Sequence, residues 1–540
     1  MGAEQAAVEG APPRSATAAW RQHLWPILLV VTTVALAYAR ALTHGFLSNW
    51  DDTAYVVGNP AVRGITLDHV RSAFTSLFVG NYAPLQIVSY MLDYELWGLQ
   101  AGGFILTNLL CHAASAVLVY LLLARLHGGR AGALVGALVF ALHPVQVESV
   151  AWVSQRKNVL AMLLFLAALH AYVRYRERDA SRAGAWYAAS LAAFILALLT
   201  KSVTVVLPLV LVALDFCFPT RAGWRRRVGD KVPFCLAAAG IAVLALISQS
   251  PGLGGGRAGY WGGSLGSTLL TMAAVLVRYA TMIVWPLHFS AGYAQGFKEG
   301  IDGEVALSAA LLLATALAAL HLLRRQRALG FWVLVVIIGL APVSQLVPLV
   351  TLMNDRYLYF PMLGVAGLAG GGLQAIAVAA RPRWRTAALG GSGLALTLLA
   401  ALSFQQVGVW RDTVTLWRHA TVKEPDCSLA WLGLGAALLD RGQVDEALAA
   451  LQHSYMLFPG DQDTLYQLGF IYTQRLRQPL RGRPYLLALT RLNPRHAAGL
   501  TLLGDSYLMT GEREAAAEAF RRARAIPPPA AAPFPLRPAA

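Results

Sequence analysis

Long apolar runs separated by short polar turns set the pattern of this chain up to about residue 406. Runs near 24–43, 104–126, 130–143, 157–173, 185–199, 203–218, 233–250, 304–323, 329–348, 357–380 and 386–406 read as about eleven membrane-crossing helices, since about 18 apolar residues are enough to span a bilayer core. The run at 130–143 is short and is expected to continue at an angle through His143-Pro144. Residues 265–286 are also apolar, but Arg278-Tyr279 interrupts them and a Gly-rich approach, Pro251 to Gly263, precedes them. They are read as interfacial or re-entrant on the outer side; a twelfth crossing is the alternative. The loop 44–103 is too long for a plain connection. Within it Thr66–Leu77 has helical apolar spacing at Leu67, Val70, Phe74 and Leu77, and Tyr82–Trp97 mixes aromatic and apolar residues. Both are expected to lie on the bilayer and wall a cavity.

From about Asp412 the pattern changes. Trp431-x-x-Leu434-Gly435-x-x-Leu438, Leu465-x-x-Leu468-Gly469-x-x-Tyr472 and Leu500-x-x-Leu503-Gly504-x-x-Tyr507 place their glycines 34 and 35 residues apart. That period is the tetratricopeptide one, in which Gly lets paired helices approach closely. The middle repeat departs from it between Arg475 and Pro484. The expected organisation is a tail at 1–23, a membrane domain at 24–410, a three-repeat domain at 411–526, and a disordered Pro/Ala-rich tail at 527–540.

Composition agrees: 57% of residues are hydrophobic and 13% charged, against about 25% charged in a soluble domain. The net charge of +16 does not point to nucleic acid, because the arginines cluster between apolar runs. With the N-terminus in the cytoplasm, inward loops carry Arg125 and Arg130; Arg174, Arg176, Arg178 and Arg182; Arg221, Arg225, Arg226, Arg227 and Lys231; Arg324, Arg325 and Arg327; and Arg381, Arg383 and Arg385, as the positive-inside rule requires. The first run is read as a span, not as a cleaved signal peptide. The cysteines 111, 217, 235 and 427 form neither a disulfide framework nor a metal-ligand spacing.

This topology gathers the unexpected polar residues on the outward face. Asp51-Asp52 follows the first span and offers a base for a hydroxyl, or a site for a divalent cation. The turn His143 to Asn158 holds His143, Glu148, Arg156 and Lys157. Arg156-Lys157 lies against the positive-inside bias and calls for an anionic partner such as phosphate; lipid headgroups or Glu148 could also serve. Lys201 and Asp355-Arg356-Tyr357 stand at two further outward turns. No Gly-rich phosphate loop followed by Lys-Ser/Thr occurs in the sequence, so a donor carrying its own leaving group fits better than ATP.

Asn49-Trp50-Asp51-Asp52, His143-Pro-x-x-x-Glu148-x-x-Ala151-Trp152-x-x-x-Arg156-Lys157, Thr200-Lys201, Asp355-Arg356-Tyr357-Leu358-Tyr359-x-Pro361 and a tetratricopeptide tail occur in this order. The combination resembles the transmembrane-and-tetratricopeptide-repeat glycosyltransferases of the GT-C superfamily, relatives of the protein O-mannosyltransferases. The resemblance implies an all-α polytopic enzyme with a polyprenyl-phosphate sugar as donor and inversion at the anomeric carbon. It gives the base role to Asp51 or Asp52, Asp51 first. Arg156, Lys157, Lys201 and Arg356 would hold the donor phosphate, with His143, Glu148, Asp355 and Tyr357 in support; no metal ligands are assigned, and a divalent cation is left open. Ser202 stands where Glu is expected after the lysine. Implied partners are the lipid-linked donor, membrane lipids and a protein acceptor docked by the repeats. The expected place is a bacterial inner membrane with the site periplasmic. A lipid-linked-sugar flippase and a membrane scaffold are the competing classes.

Overall fold

The computed structural model of the chain describes residues 16–177, 180–219, 228–249, 259–294 and 296–526. The expected disordered tail and the arginines 178, 221 and 225–227 lie outside them. Among the described residues the architecture is all-α, with one isolated bridge between Phe78 and Asn81 and no strand. The helices are α1 Ala16–Tyr38, α2 Leu67–Thr75, α3 Pro84–Trp97, α4 Ala101–His127, α5 Arg130–Leu142, α6 Val147–Ala151, α7 Arg156–Glu177, α8 Ala180–Thr200, α9 Leu207–Cys217, α10 Val232–Ser248, α11 Leu265–Val284, α12 Gly303–Arg325, α13 Arg327–Leu340, α14 Pro361–Ala379 and α15 Pro382–Val409. The repeat helices follow: α16 Thr413–Lys423, α17 Ser428–Asp440, α18 Val444–Leu457, α19 Gln462–Phe470, α20 Pro479–Leu492, α21 Ala497–Met509 and α22 Arg513–Ala525. Eight described helices are long and apolar enough to cross a membrane, nine if the bent pair at 130–151 counts as one, and four shorter apolar helices sit at 202–217, 232–248, 327–343 and, in the repeats, 428–440. The protein is an integral membrane protein with a repeat domain at its C-terminal end.

Charged contacts mark the two ends of the helical bundle. The start of α4 and the start of α7 meet where Arg156 donates to the Phe104 carbonyl. Their far ends meet at the Arg125–Glu177 pair, roughly 30 Å away at 1.5 Å per residue. At that far end Asp215 of α9 also holds Arg176 and Lys231. The chain thus shuttles between an Arg-rich end and an end where loops and repeats gather. The predicted bend is present: α5 and the 144–151 segment meet at 49°. Pro144 cannot donate a helical hydrogen bond there, and His143 Nδ1 instead accepts from the Val145 N–H at 3.3 Å.

Helix α11 satisfies the length test for a crossing, yet its contacts run along one face. The Trp261 indole, just before it, donates to the Leu349 carbonyl at 3.2 Å. Tyr279, near its end, accepts from the Asn354 N–H at 3.2 Å. Arg278 pairs with Glu424 of the repeat domain. Both ends of α11 therefore touch the same loop between α13 and α14.

Helix α2 forms where expected, with Thr66 as its N-cap, and leaves Leu67 and Phe74 uncovered. Helix α3 differs from the expected surface helix: Gln86, Tyr90 and Asp93 are buried. It packs inward because its polar side chains find partners in the α4–α7 region, including an ion pair from Asp93 to Arg156. Helix α14 starts at Pro361, after a 3₁₀ turn at Asp355–Leu358, and not at 357.

In the repeats, a Cβ at Gly435, Gly469 or Gly504 would collide with Leu451, Leu486 or Phe520 of the partner helix, so close helix approach demands glycine at each. The irregular middle repeat takes a π-turn at Ile471–Arg475 and a left-handed Arg477 before Pro479 opens α20.

Candidate functional site

The site is built from four chain breaks on the face where the repeats sit. In the first, Asn49 takes a left-handed backbone conformation with φ 55°, which Asn tolerates better than most residues. A π-turn at Thr53–Val57 closes with Gly58 N–H donating to the Thr53 carbonyl at 2.7 Å. Between these, the Trp50 ring packs at a tilt against Trp152, centroids 4.2 Å apart, and against Trp417, centroids 4.9 Å apart.

Asp51 and Asp52 point to different surroundings. Asp52 is 1% exposed. Its Oδ2 accepts from Leu47 N–H at 2.9 Å, and its Oδ1 accepts from the Ser154 N–H at 3.0 Å and from the Ser154 hydroxyl. Burial pushes its carboxyl up to about 6 in spite of those bonds. Asp51 is half-buried and makes no hydrogen bond or ion pair among the described residues. Its field acts on Lys157 and on Arg356.

Three cations converge beside it. Lys157, in the first turn of α7, donates to the Tyr55 hydroxyl at 3.3 Å and lies 4.9 Å over its ring. Lys201, in the break after α8, donates to Asn158 Oδ1. The Asn158 amide is fixed in turn by donating to Ser149 Oγ at 3.0 Å and Gln155 Oε1 at 2.9 Å. Arg356 pairs with Glu148 through its guanidinium, and its backbone N–H donates to Glu148 Oε2 at 2.7 Å. The Arg356 guanidinium also lies 5.6 Å from the Trp152 ring and 5.7 Å from the Tyr357 ring. Burial, with the neighbouring charges of Lys157 and Arg356, pushes the Lys201 ammonium well below its ordinary lysine value. Burial and the neighbouring Glu148 charge push the Asp355 carboxyl well above the carboxylate range. Lys157, Lys201 and Arg356 thus gather their donors beside Asp51 and Glu148, an arrangement suited to an anion such as a phosphate.

Two expected site residues are placed elsewhere. Arg156 does not join the cation cluster. It is fully buried, pairs with Asp93 at 2.6 Å, and donates to Asn108 at 2.5 Å, Ser89 at 3.2 Å and the Phe104 carbonyl at 2.7 Å. A desolvated guanidinium with a paired carboxylate is a structural brace, with no face left for a ligand. His143 is also buried, and its Nε2 donates to the Ile283 carbonyl at 3.0 Å, tying α5 to α11. Glu148 holds Arg356 as expected of an orienting acid. The Tyr357 hydroxyl bonds Thr351 Oγ1 at 2.7 Å. Sequence reading missed Asp93, Ser154, Asn158 and Tyr293. Asp93 had one available signal: a buried arginine requires a carboxylate, and Asp93 lies in an otherwise apolar helix. No group of three or more His, Cys, Asp or Glu side chains placed to hold a metal occurs among the described residues.

The family model described as dolichyl-phosphate-mannose-protein mannosyltransferase matches residues 89–249, and a tetratricopeptide-repeat model matches 398–461 and 472–531. The chain resembles the transmembrane-and-tetratricopeptide-repeat O-mannosyltransferases. Protein O-mannosyl-transferase TMTC3 of Homo sapiens is 28% identical over 235 residues, 40% of this chain and 25% of that protein. Protein O-mannosyl-transferase TMTC1 of Mus musculus is 35% identical over 158 residues, 27% of this chain and 16% of that protein. The chain therefore matches a quarter or less of the length of these relatives. Among solved structures, ArnT from Cupriavidus metallidurans bound to undecaprenyl phosphate aligns with TM-score 0.41 and 16% identity, covering 88% of this chain and 80% of that one. The Archaeoglobus fulgidus oligosaccharyltransferase in the apo form gives 0.38 and 13%, covering 72% and 56%. The resemblance drawn from motif order is borne out by the family and relative matches.

Proposed function

We propose that this chain is a membrane hexosyltransferase. It moves a mannose-like sugar from a polyprenyl phosphate to a Ser or Thr hydroxyl of a protein, on the extracytoplasmic face. A periplasmic site in a bacterial inner membrane belongs to the same reading. The observation that carries it is the Asp51 carboxylate, without a hydrogen bond or ion pair among the described residues, near the donor groups of Lys157, Lys201 and Arg356. Asp51 takes the proton of the acceptor hydroxyl, and the oxygen attacks the anomeric carbon. The bond from that carbon to the phosphate oxygen breaks, its electron pair stays on the phosphate, and the three cations stabilise the departing lipid phosphate. Attack opposite the leaving group inverts the anomeric centre and needs no ATP. Trp431, Tyr466 and Phe470, half-buried on the first helices of the repeats, offer ring surface to a protein acceptor.

Purified full-length protein in nanodiscs, given a radiolabelled polyprenyl-phosphate mannose and a Ser/Thr peptide, tests the reading. Transfer is expected, with loss in Asp51→Asn. Absence of transfer from every polyprenyl-phosphate sugar, or full transfer by Asp51→Asn, overturns it.

A further inference from the structure

The repeat domain grips both halves of the candidate site with its first two helices. On one side, the loop bearing Asp51 is fixed to α16 and α17. Ser48 N–H donates to Thr413 Oγ1 at 2.9 Å, Asn49 donates to Asp440, and the Trp50 ring packs at a tilt against Trp417. On the other side, Glu424 at the end of α16 pairs with Arg278, accepts from His288 Nε2 at 2.7 Å, and accepts from the Ala294 N–H at 3.3 Å. Arg278 lies 4.8 Å over the Tyr293 ring. The Tyr293 hydroxyl donates to Asp355 Oδ1, and Asp355 immediately precedes Arg356. The chain of contacts runs without a gap from Glu424 to the Arg356–Glu148 pair.

Building on the transfer reading above, we infer that α16 and α17 are part of the donor site and do more than carry an acceptor dock. They set the position of Asp51 directly and that of Arg356 through Arg278, Tyr293 and Asp355, with Glu424 as the positioning residue. The chemistry supports this division. Glu424 is nearly buried, at 7% side-chain exposure, and spends both oxygens on the membrane domain, so it is not available to a peptide. Tyr293 spends its hydroxyl hydrogen on Asp355 while accepting from Ser290 N–H at 3.0 Å, which fixes its ring under Arg278. A shift of α16 would move Arg278 and Tyr293 together and release the turn that presents Arg356.

The test uses the full chain in nanodiscs and two readouts. One is binding of undecaprenyl phosphate alone, which does not depend on transfer. The other is steady-state KM for donor and for peptide. Glu424→Gln is expected to weaken undecaprenyl phosphate binding and raise donor KM by about fivefold, leaving peptide KM unchanged, with Glu424→Asp recovering most of the loss. Combined with Tyr293→Phe, the effect is expected to be no larger than that of the stronger single variant. A rise in peptide KM with undecaprenyl phosphate binding intact, or effects of the two variants that multiply, overturns the inference. Should Glu424→Gln fail to fold, Tyr293→Phe alone decides: it weakens undecaprenyl phosphate binding, or the inference fails. Failure of the phosphate reading itself is distinguishable, since Lys157→Ala and Lys201→Ala would then leave that binding untouched.

Discussion

Two charge doublets stand at the face of the membrane domain where the repeats sit, Asp51-Asp52 and Arg156-Lys157, and both are divided in the same way. In each, one member is turned into the protein and saturated. Asp52 accepts from Leu47 and Ser154, and Arg156 is enclosed by Asp93, Asn108, Ser89 and Phe104. The other member faces the shared cluster: Asp51 without a hydrogen bond among the described residues, Lys157 with only a tyrosine hydroxyl and ring. The doublets are also joined to each other, since Asp52 bonds Ser154, two residues before Arg156. A charge next to a reactive group at a membrane surface has two separate tasks, holding the backbone still and meeting the ligand. In the reaction proposed above, neighbouring residues would carry one task each, so the reactive group need not also hold the fold.

The division predicts opposite phenotypes within each doublet, and the largest difference should come from the carboxylates. Asp51→Asn is expected to lower kcat by about 10²–10⁴-fold, the range of a lost general base, with unchanged thermal stability and undecaprenyl phosphate binding. Asp52→Asn should retain catalysis in proportion to how much protein folds. Rates measured beside melting curves check this; a dead but stable Asp52→Asn with an active Asp51→Asn would reverse the roles. Next in size is Arg156→Ala, which leaves Asp93 buried and uncompensated. It should cost about 3–5 kcal/mol of stability and reduce the yield of folded protein, whatever the donor. A stable Arg156→Ala with selectively weakened donor binding would return Arg156 to the phosphate set.

Much of this arrangement was legible in the sequence, and what was not has a physical reason. The apolar runs, the repeat period and the order of the outward motifs depend on residues close in sequence. The bend at Pro144 and the close approach at Gly435, Gly469 and Gly504 follow from single-residue sterics. The sequence reading put Arg156 beside Lys157 in one role because neighbours in sequence look alike. On a helix they diverge by about 100°, and which one faces the cluster depends on where α3 and α4 supply partners. Asp93, Asn158 and Tyr293 were missed for the same reason: each matters only through a partner more than 40 residues away in the chain. The inward packing of α3 was hidden as well, because an aromatic, apolar helix suits a lipid surface and a protein interior equally.

A smaller effect sharpens the cation side. Lys157→Ala removes one of three converging charges while Lys201 and Arg356 remain, so undecaprenyl phosphate binding should weaken by roughly tenfold, in line with about 1.5–3 kcal/mol for a hydrogen bond to a charged group. Lys157→Arg should recover part of it. The melting temperature should stay near that of the parent, in contrast to Arg156→Ala. Equal destabilisation by both variants would show that the second doublet is not divided.

The finest test concerns the sign of a pH effect. Burial, opposed by the bonds from Leu47 and Ser154 and reinforced by the Asp51 charge, pushes the Asp52 carboxyl up to about 6, above the ordinary aspartate value of about 3.9 in an unfolded chain. As pH falls, the folded state takes up this proton before the unfolded state does. The contribution of Asp52 to stability is therefore smallest above pH 7, grows as pH falls through about 6, and is complete near pH 4, where the unfolded chain protonates too. Its full size is on the order of 1–3 kcal/mol. Other acids, Asp355 among them, titrate in parent and variant alike and cancel in a difference. The gap in melting temperature between the parent and Asp52→Asn should accordingly widen in favour of the parent from pH 7.5 to 4.5. A gap that stays flat or narrows would mean that Asp52 is not the buried member of the doublet, and the assignment of base and brace would fall.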